Sequence, residues 1–151
     1  MTGEVDTPRT VVVAAAILRG DGVEGQELLI ARRSAPEKLA GLWEFPGGKL
    51  EPGEDPRAGV ARELAEELGV EVELGDEVMS QTAPEYEPGW GWRLSEKAVM
   101  RLFLGRLSGG SSAPQPLQDH DRVEWVRLDE RALRYPWIPA DVPIVEALIG
   151  T

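Results

Sequence analysis

The sequence predicts an α/β fold, a mixed β-sheet covered by helices, and three observations predict it. Short apolar runs bounded by glycine, proline and polar residues recur along the chain and read as strands. A well-bounded amphipathic helix follows the turn-forming Pro46, Gly47 and Gly48, and a second apolar-periodic segment closes the chain. Strands that surround one helix and end in another bury both helices on the sheet.

In order, residues 10–18 are rich in Val, Ala and Ile and fit a buried strand. A turn containing Gly20, Asp21 and Gly22 separates them from the apolar run 28–31, which predicts a hairpin. Residues 34–41 read as a connection, and 42–45 lead into a glycine turn at 46–48. Asp55 can cap the next helix, Pro56 fits its first position, where a missing N–H costs nothing, and Gly69 is placed to end it. Residues 70–82 and 97–107 carry strand patterns on either side of a Pro/Gly/Trp-rich loop at 83–96, and 109–116 is a polar connection. Apolar and polar residues alternate over 122–128, with Val123, Trp125 and Leu128 available for packing, and a short helix begins near Asp129. The segment 141–149 spaces Val142, Val145, Leu148 and Ile149 for a helix docked on the sheet. The chain of 151 residues shows no internal repeat and suits one domain over 1–151, with its core at 10–149.

The first helix carries the chemical signal. At about 100° per residue, Glu63, Glu66 and Glu67 share an arc of about 100°, while Val60, Ala61, Leu64, Ala65 and Leu68 fill the other side. Like charges four residues apart disfavour the bare helix by a few tenths of a kcal/mol, and a bound cation reverses that sign. Hard Mg²⁺ or Mn²⁺ takes oxygen ligands and uses a few carboxylates together with substrate phosphates. Two adjacent glutamates alone would read as a solvated face.

Composition narrows the classes. There is no cysteine and a single histidine, His120, which excludes disulfides, thiolate zinc sites, a cysteine nucleophile and a histidine cluster. Any metal is therefore held mainly by oxygen. The apolar runs fall far short of the roughly 20 residues that span a membrane, and residues 1–6 lack a signal peptide's basic region; the expectation is a cytoplasmic protein without a membrane partner. A net charge of −11 argues against a nucleic-acid polymer. A free nucleotide stays compatible if divalent metal neutralises the site, with Arg32, Arg33 and Lys49 as helpers; the alternative for these cations is surface solubility. Position beside the acidic motif favours Arg33 and Lys49.

The stretch from Gly48 through Lys49, Leu50, Glu51, Pro52 and Gly53 to Glu54 is followed after seven residues by Arg62-Glu63-Leu64-Ala65-Glu66-Glu67-Leu68-Gly69-Val70. This pattern, G-x5-E-x7-R-E-L-x-E-E-x-G-V, resembles the Nudix box of MutT-like hydrolases at every defined position. The resemblance implies an α/β/α sandwich and hydrolysis of a diphosphate linkage by water with divalent cations. It assigns metal binding to the Gly48 carbonyl, Glu63 and Glu67, makes Glu66 a further ligand or supporting acid, and has Arg62 orient Glu63. Which of these acids is the general base stays open. Glu54 is expected to stabilise the loop or the helix's positive end, and Glu51 to be solvated. Gly47 and Gly48 are expected to permit a tight turn and close phosphate approach.

Residues 28–33, 41–49, 119–121, Trp125 and 135–143 further resemble the MutT and CTP pyrophosphohydrolase branch. That resemblance brings Asp119, where glutamate is more usual, toward the metals; a solvated loop acid is the alternative. It also places Asp141 against the base. An ionised carboxylate only accepts hydrogen bonds, so it suits the amino donor of cytosine or the N–H donors of guanine and pairs poorly with thymine; capping of the terminal helix is the alternative. Phe45 lines the base pocket or fills the core. Trp90 and Trp92 offer stacking, a lid or a homodimer contact. The expected activity is a metal-dependent nucleoside triphosphate pyrophosphohydrolase that removes unwanted nucleotides, with hydrolysis of ADP-ribose or a similar compound, or nucleotide sensing without turnover, as alternatives.

Overall fold

A computed structural model describes residues 10–21, 25–80 and 91–150. The strands are β1 (Thr10–Asp21), β2 (Gly25–Arg33), β3 (Trp43–Glu44), β4 (Gly47–Lys49), β5 (Val72–Val78), β6 (Trp92–Ser95), β7 (Ala98–Leu107) and β8 (His120–Arg127). Two α-helices, α1 (Pro56–Leu68) and α2 (Val142–Ile149), complete the α/β fold. The sheet runs β3-β2-β1-β7-β5, with β4 paired to β1, β6 to β7 and β8 to β2. It is mixed because β1 lies parallel to β7 and antiparallel to β2 and β4.

β1 shows why its sequence is a continuous apolar run. Val13, Ala15 and Ile17 pack with Val60, Leu64 and Leu68 of α1, whereas Ala14 and Ala16 join Ile144, Val145 and Leu148 of α2 on the opposite face. A strand covered on both sides has no polar face to alternate with. The hairpin of β1 and β2 is present, with Leu18 opposite Leu28 and Asp21 opposite Gly25.

α1 begins and ends where its caps place it. The Asp55 carboxylate accepts the Ala58 N–H at 3.1 Å, and Gly69 turns left-handed at φ 69°, a region costly for a residue with Cβ. Its buried stripe is narrower than the predicted face: Ala61 and Ala65 are exposed. Glu67 instead joins the buried side at 9 % exposure, because it follows Val60 by two helical turns.

Three local expectations change. The glycine turn at 46–48 is in fact the approach to β4, and neither Gly47 nor Gly48 has a positive φ. A side chain on Gly47 would collide with the Val13 carbonyl, so close strand packing excludes it. Within the loop of 83–96 lies β6, where Trp92 is a core residue whose indole N–H donates to the Val78 carbonyl at 2.8 Å; it is no lid. Trp90 lies outside the described residues. The short helix after Asp129 is a 3-10 turn, Glu130–Arg134, begun by the Asp129 carboxylate accepting the Arg131 N–H.

The chain then returns to β3. Trp43 donates its N–H to the Pro136 carbonyl and accepts the Ile138 N–H, both at 2.9 Å. The Trp43 ring meets Tyr135 edge-on and Phe45 lies tilted against Trp137, each with ring centroids 5.3 Å apart. This clasp carries the 3-10 turn Pro139–Asp141 and α2 to the segment between β3 and β4. No helix among the described residues is long and apolar enough to cross a membrane.

Candidate active site

The acidic wall is organised by Arg62. Its Nε and Nη2 donate to both oxygens of Glu54 at 2.8 and 3.0 Å, and Nη2 also reaches the Lys49 carbonyl at 3.2 Å. Nη1 donates to Glu63 at 3.0 Å and to Glu66 at 3.4 Å. The paired guanidinium, followed by the Glu51 N–H, lowers the Glu54 carboxyl to about 2. Glu54 is thus a loop staple, joining the turn before α1 to the helix. Glu51 is exposed, as a solvated acid should be.

Glu63 lies against the backbone of β4. A Cβ on Gly48 would stand 2.5 Å from the Glu63 carboxyl carbon, so only glycine leaves that carboxylate its place. Burial raises the Glu63 pKa and Arg62 opposes the rise. Glu67 accepts the Gly47 N–H at 3.1 Å from the interior side. Burial pushes its carboxyl up to about 7, with the Glu44 and Glu63 charges adding and His120 and the Gly47 N–H opposing. Glu66 is exposed. Among the described residues no three acids or histidines stand close enough to enclose an ion as placed: Arg62 holds Glu63 and Glu66, while Gly47 holds Glu67. The donor set of carboxylates beside a side-chain-free glycine nevertheless has the chemistry that a hard divalent cation takes.

A second wall faces the other side of the same loop. Asp141 is 1 % exposed and accepts the Phe45 N–H at 3.4 Å. Its side chain makes no capping bond to α2, which removes the capping alternative. Burial, reinforced by the Glu44 charge and opposed by the Phe45 N–H, raises its carboxyl to about 7. The Phe45 ring is core, and what it offers the site is its backbone.

Between the walls lies a polar group that the sequence reading missed. Glu44 Oε2 accepts Arg33 Nη1 at 3.0 Å and faces His120 Nε2 at 2.7 Å. Arg33 Nε is held by the Ala35 carbonyl at 2.8 Å, and His120 Nδ1 faces the Gln118 carbonyl at 2.8 Å. Burial pushes the His120 imidazole down, but the Glu44 hydrogen bond and the Glu44 and Glu67 charges outweigh it and the net shift is upward. One signal was present: Glu44 is a charged residue inside the apolar run 42–45.

The remaining candidates are peripheral. The Lys49 side chain is exposed, and Arg32 pairs with Asp121 at 2.8 Å on the surface. Asp119 adopts a left-handed φ of 60°, and its carbonyl accepts the Ser34 N–H at 2.8 Å. Its side chain is exposed and joins no metal-holding group among the described residues.

Comparison with known proteins agrees with this fold. A sequence model of the NUDIX domain matches residues 8–148. The chain is 35 % identical over 142 residues to a CTP pyrophosphohydrolase of Escherichia coli, covering 94 % of this chain and 93 % of that protein. It is 40 % identical over 134 residues to a putative 8-oxo-dGTP diphosphatase 2 of Mycobacterium tuberculosis, covering 87 % of this chain and 82 % of that one. Among solved structures, the E. coli ORF135 protein superposes with a TM-score of 0.69 at 36 % identity, over 95 % of this chain and 91 % of its own. Nudix hydrolases generally use divalent metals. The chain belongs to the Nudix hydrolases.

Proposed function

We propose that this protein is a divalent-metal-dependent nucleoside triphosphate pyrophosphohydrolase, acting as a single Nudix domain. The observation that carries the reading is the short segment Glu44–Gly47. Its Gly47 N–H reaches Glu67 on the acidic wall and its Phe45 N–H reaches the buried Asp141. One ligand with a polyphosphate at one end and a base at the other fits that juxtaposition better than an isolated phosphate does. The names of the E. coli and M. tuberculosis relatives, a CTP pyrophosphohydrolase and a putative 8-oxo-dGTP diphosphatase, support the same substrate class.

In this reading the Gly48 carbonyl, Glu63 and Glu67, with Glu66 beside them, hold Mg²⁺ or Mn²⁺. The bound cation supplies charge neutralisation at the phosphates and a more acidic water. Arg62 fixes the angle of Glu63 through the 3.0 Å bond, and its pairing with Glu54 keeps the loop closed. Arg33 contributes positive charge beside the phosphates. Asp141 and the Phe45 backbone read the base, whose amino or ring N–H donors suit an ionised carboxylate. The water oxygen bonds to phosphorus as the anhydride P–O bond breaks, and its proton passes to a carboxylate; the products are a nucleoside monophosphate and pyrophosphate. Removal of oxidised or modified nucleotides is the biological use that fits.

The test is kcat/KM across ribo-, deoxy- and oxidised triphosphates and ADP-ribose with Mg²⁺, with products identified. We expect monophosphate and pyrophosphate from triphosphates and a loss of about 10²-fold or more in kcat for Glu67→Gln. Preferred cleavage of ADP-ribose, or unchanged turnover in that variant, would refute the assignment.

A further inference from the structure

The strongest unexplained feature is a buried histidine in the middle of an acidic site. The His120 side chain is fully shielded from solvent, while those of Glu44 and Arg33 are 14 % and 17 % exposed. Both imidazole nitrogens are engaged. Nδ1 lies 2.8 Å from the Gln118 carbonyl and Nε2 lies 2.7 Å from Glu44 Oε2, and neither oxygen has a hydrogen to give when Glu44 is ionised. Each nitrogen therefore donates. No lone pair is left to ligate a metal or to take a proton from water, so His120 reaches the reaction only through what it holds.

What it holds is the narrowest part of the site. β3 spans two residues, Trp43 and Glu44, and its register on β2 rests on the pairs Ala31 with Glu44 and Arg32 with Trp43. Directly beyond it, the chain leaves the ladder and supplies the Phe45 and Gly47 N–H groups to the two walls. Glu44 sits at that exit with two donors on one carboxylate oxygen, His120 as the first residue of β8 and Arg33 from the end of β2. A buried cluster of charges stabilises a fold less than apolar residues of similar volume would. Stability alone is a poor reason for this arrangement, whereas a fixed geometry at the exit of β3 is a good one.

We infer that His120 is a positioning residue for the nucleotide: by clamping Glu44 it sets the orientation of Arg33 and of the Glu44–Gly47 segment that joins the acidic wall to Asp141. The inference rests on the nucleotide reading above. It predicts an effect on substrate binding more than on chemistry, because Glu63, Glu66 and Arg62 lie outside the clamp and Glu67 touches it at the Gly47 N–H, the end of the clamped segment farthest from Glu44.

The test compares wild-type protein with His120→Leu, His120→Gln and Glu44→Gln, and with the His120→Leu/Glu44→Gln double variant. Steady-state kinetics use the best triphosphate substrate and Mg²⁺, and unfolding temperatures are measured alongside. Misplacing a substrate-positioning segment by about an ångström costs on the order of tenfold or more. We expect His120→Leu to raise KM about tenfold with kcat within about threefold of wild type. His120→Gln, whose amide can still donate to Glu44, should recover part of that loss. The double variant should lose no more than Glu44→Gln alone, because the two residues act as one unit. Should the leucine variant fail to fold, Glu44→Gln weakens the same contact from its other side and carries the test, with the same expected rise in KM. An active wild type with KM unaltered in the folded histidine variants, or a fall in kcat at constant KM, overturns this inference alone. A wild type that hydrolyses no triphosphate overturns the nucleotide reading with it.

Discussion

Asp141 and Glu67 both have carboxyls raised chiefly by burial, with the Glu44 charge adding to each; each accepts one backbone N–H, from Phe45 and Gly47 respectively, which opposes the rise. For Asp141 the folded value of about 7 exceeds the ordinary 3.8, so the folded state keeps the proton longer than the unfolded chain does. Its contribution to stability is fully present below the ordinary value and is lost as pH rises through about 7. Asp141→Asn removes that ionisation. The variant is expected to unfold at a higher temperature than wild type at pH ~8 and at a similar temperature at pH ~4, the difference reaching a few kcal/mol at roughly 1.4 kcal/mol per pKa unit. Thermal unfolding at the two pH values checks this. An equal shift at both would mean that burial of the charge is not what Asp141 costs the fold. The same variant should also change relative kcat/KM among bases, since an amide donates as well as accepts.

At the level of elements, the contact between β4 and α1 is the one on which the acidic wall depends. Gly48 sits under Glu63, and the Gly47 N–H holds Glu67, so a two-glycine strand fixes two carboxylates of one helix. Gly48→Ala adds a Cβ that Glu63 must move to admit. The expected result is a loss of at least about tenfold in kcat with a stability cost below that of overpacking a core, because the nearest atoms in the way are the end of the flexible Glu63 side chain. Urea unfolding and steady-state kinetics on one preparation separate the two. Near wild-type turnover would show that Glu63 has room elsewhere to act. The caps of α1 were legible because they depend on neighbours in sequence: Asp55 lies three residues from the N–H it accepts, and Gly69 needs only its own φ. The width of the helix's buried stripe was not legible, since it depends on how the sheet meets the helix.

For the whole molecule, a net charge of −11 with carboxylates gathered at one site makes divalent binding a stability term. Mg²⁺ at a hundred times its Kd should add about 2.7 kcal/mol, which for a chain of this size is a rise of roughly 5–10 °C in Tm. Chelation should return Tm to its starting value. A rise equalled by monovalent salt at the same ionic strength would point to general screening, and a specific site would be ruled out. β1 ties the scales together. It buries its odd residues under α1 and its even residues under α2, so both helices, and through them Glu67 and Asp141, are referred to one strand.

The sequence alone was enough to determine the fold class, the span and caps of α1, the hairpin of β1 and β2, and the acidic pattern. Each rests on local periodicity, turn chemistry or fixed spacing within a single element. Tertiary structure decided what the spacing could not. It buried Glu67 and left Ala61 and Ala65 outside, took Trp92 into the core, and left Asp119 exposed at a turn. It also brought Asp141 to Phe45 across 96 residues and His120 to Glu44 across 76. The physical reason is that Glu67 and Asp141 acquire their pKa values from burial and from charges on other elements, and Glu44 its partners from other strands, which no window of sequence contains. The box residues were readable as a motif, and what lies between the two walls became visible only when β3, β8 and the turn before α2 were placed side by side.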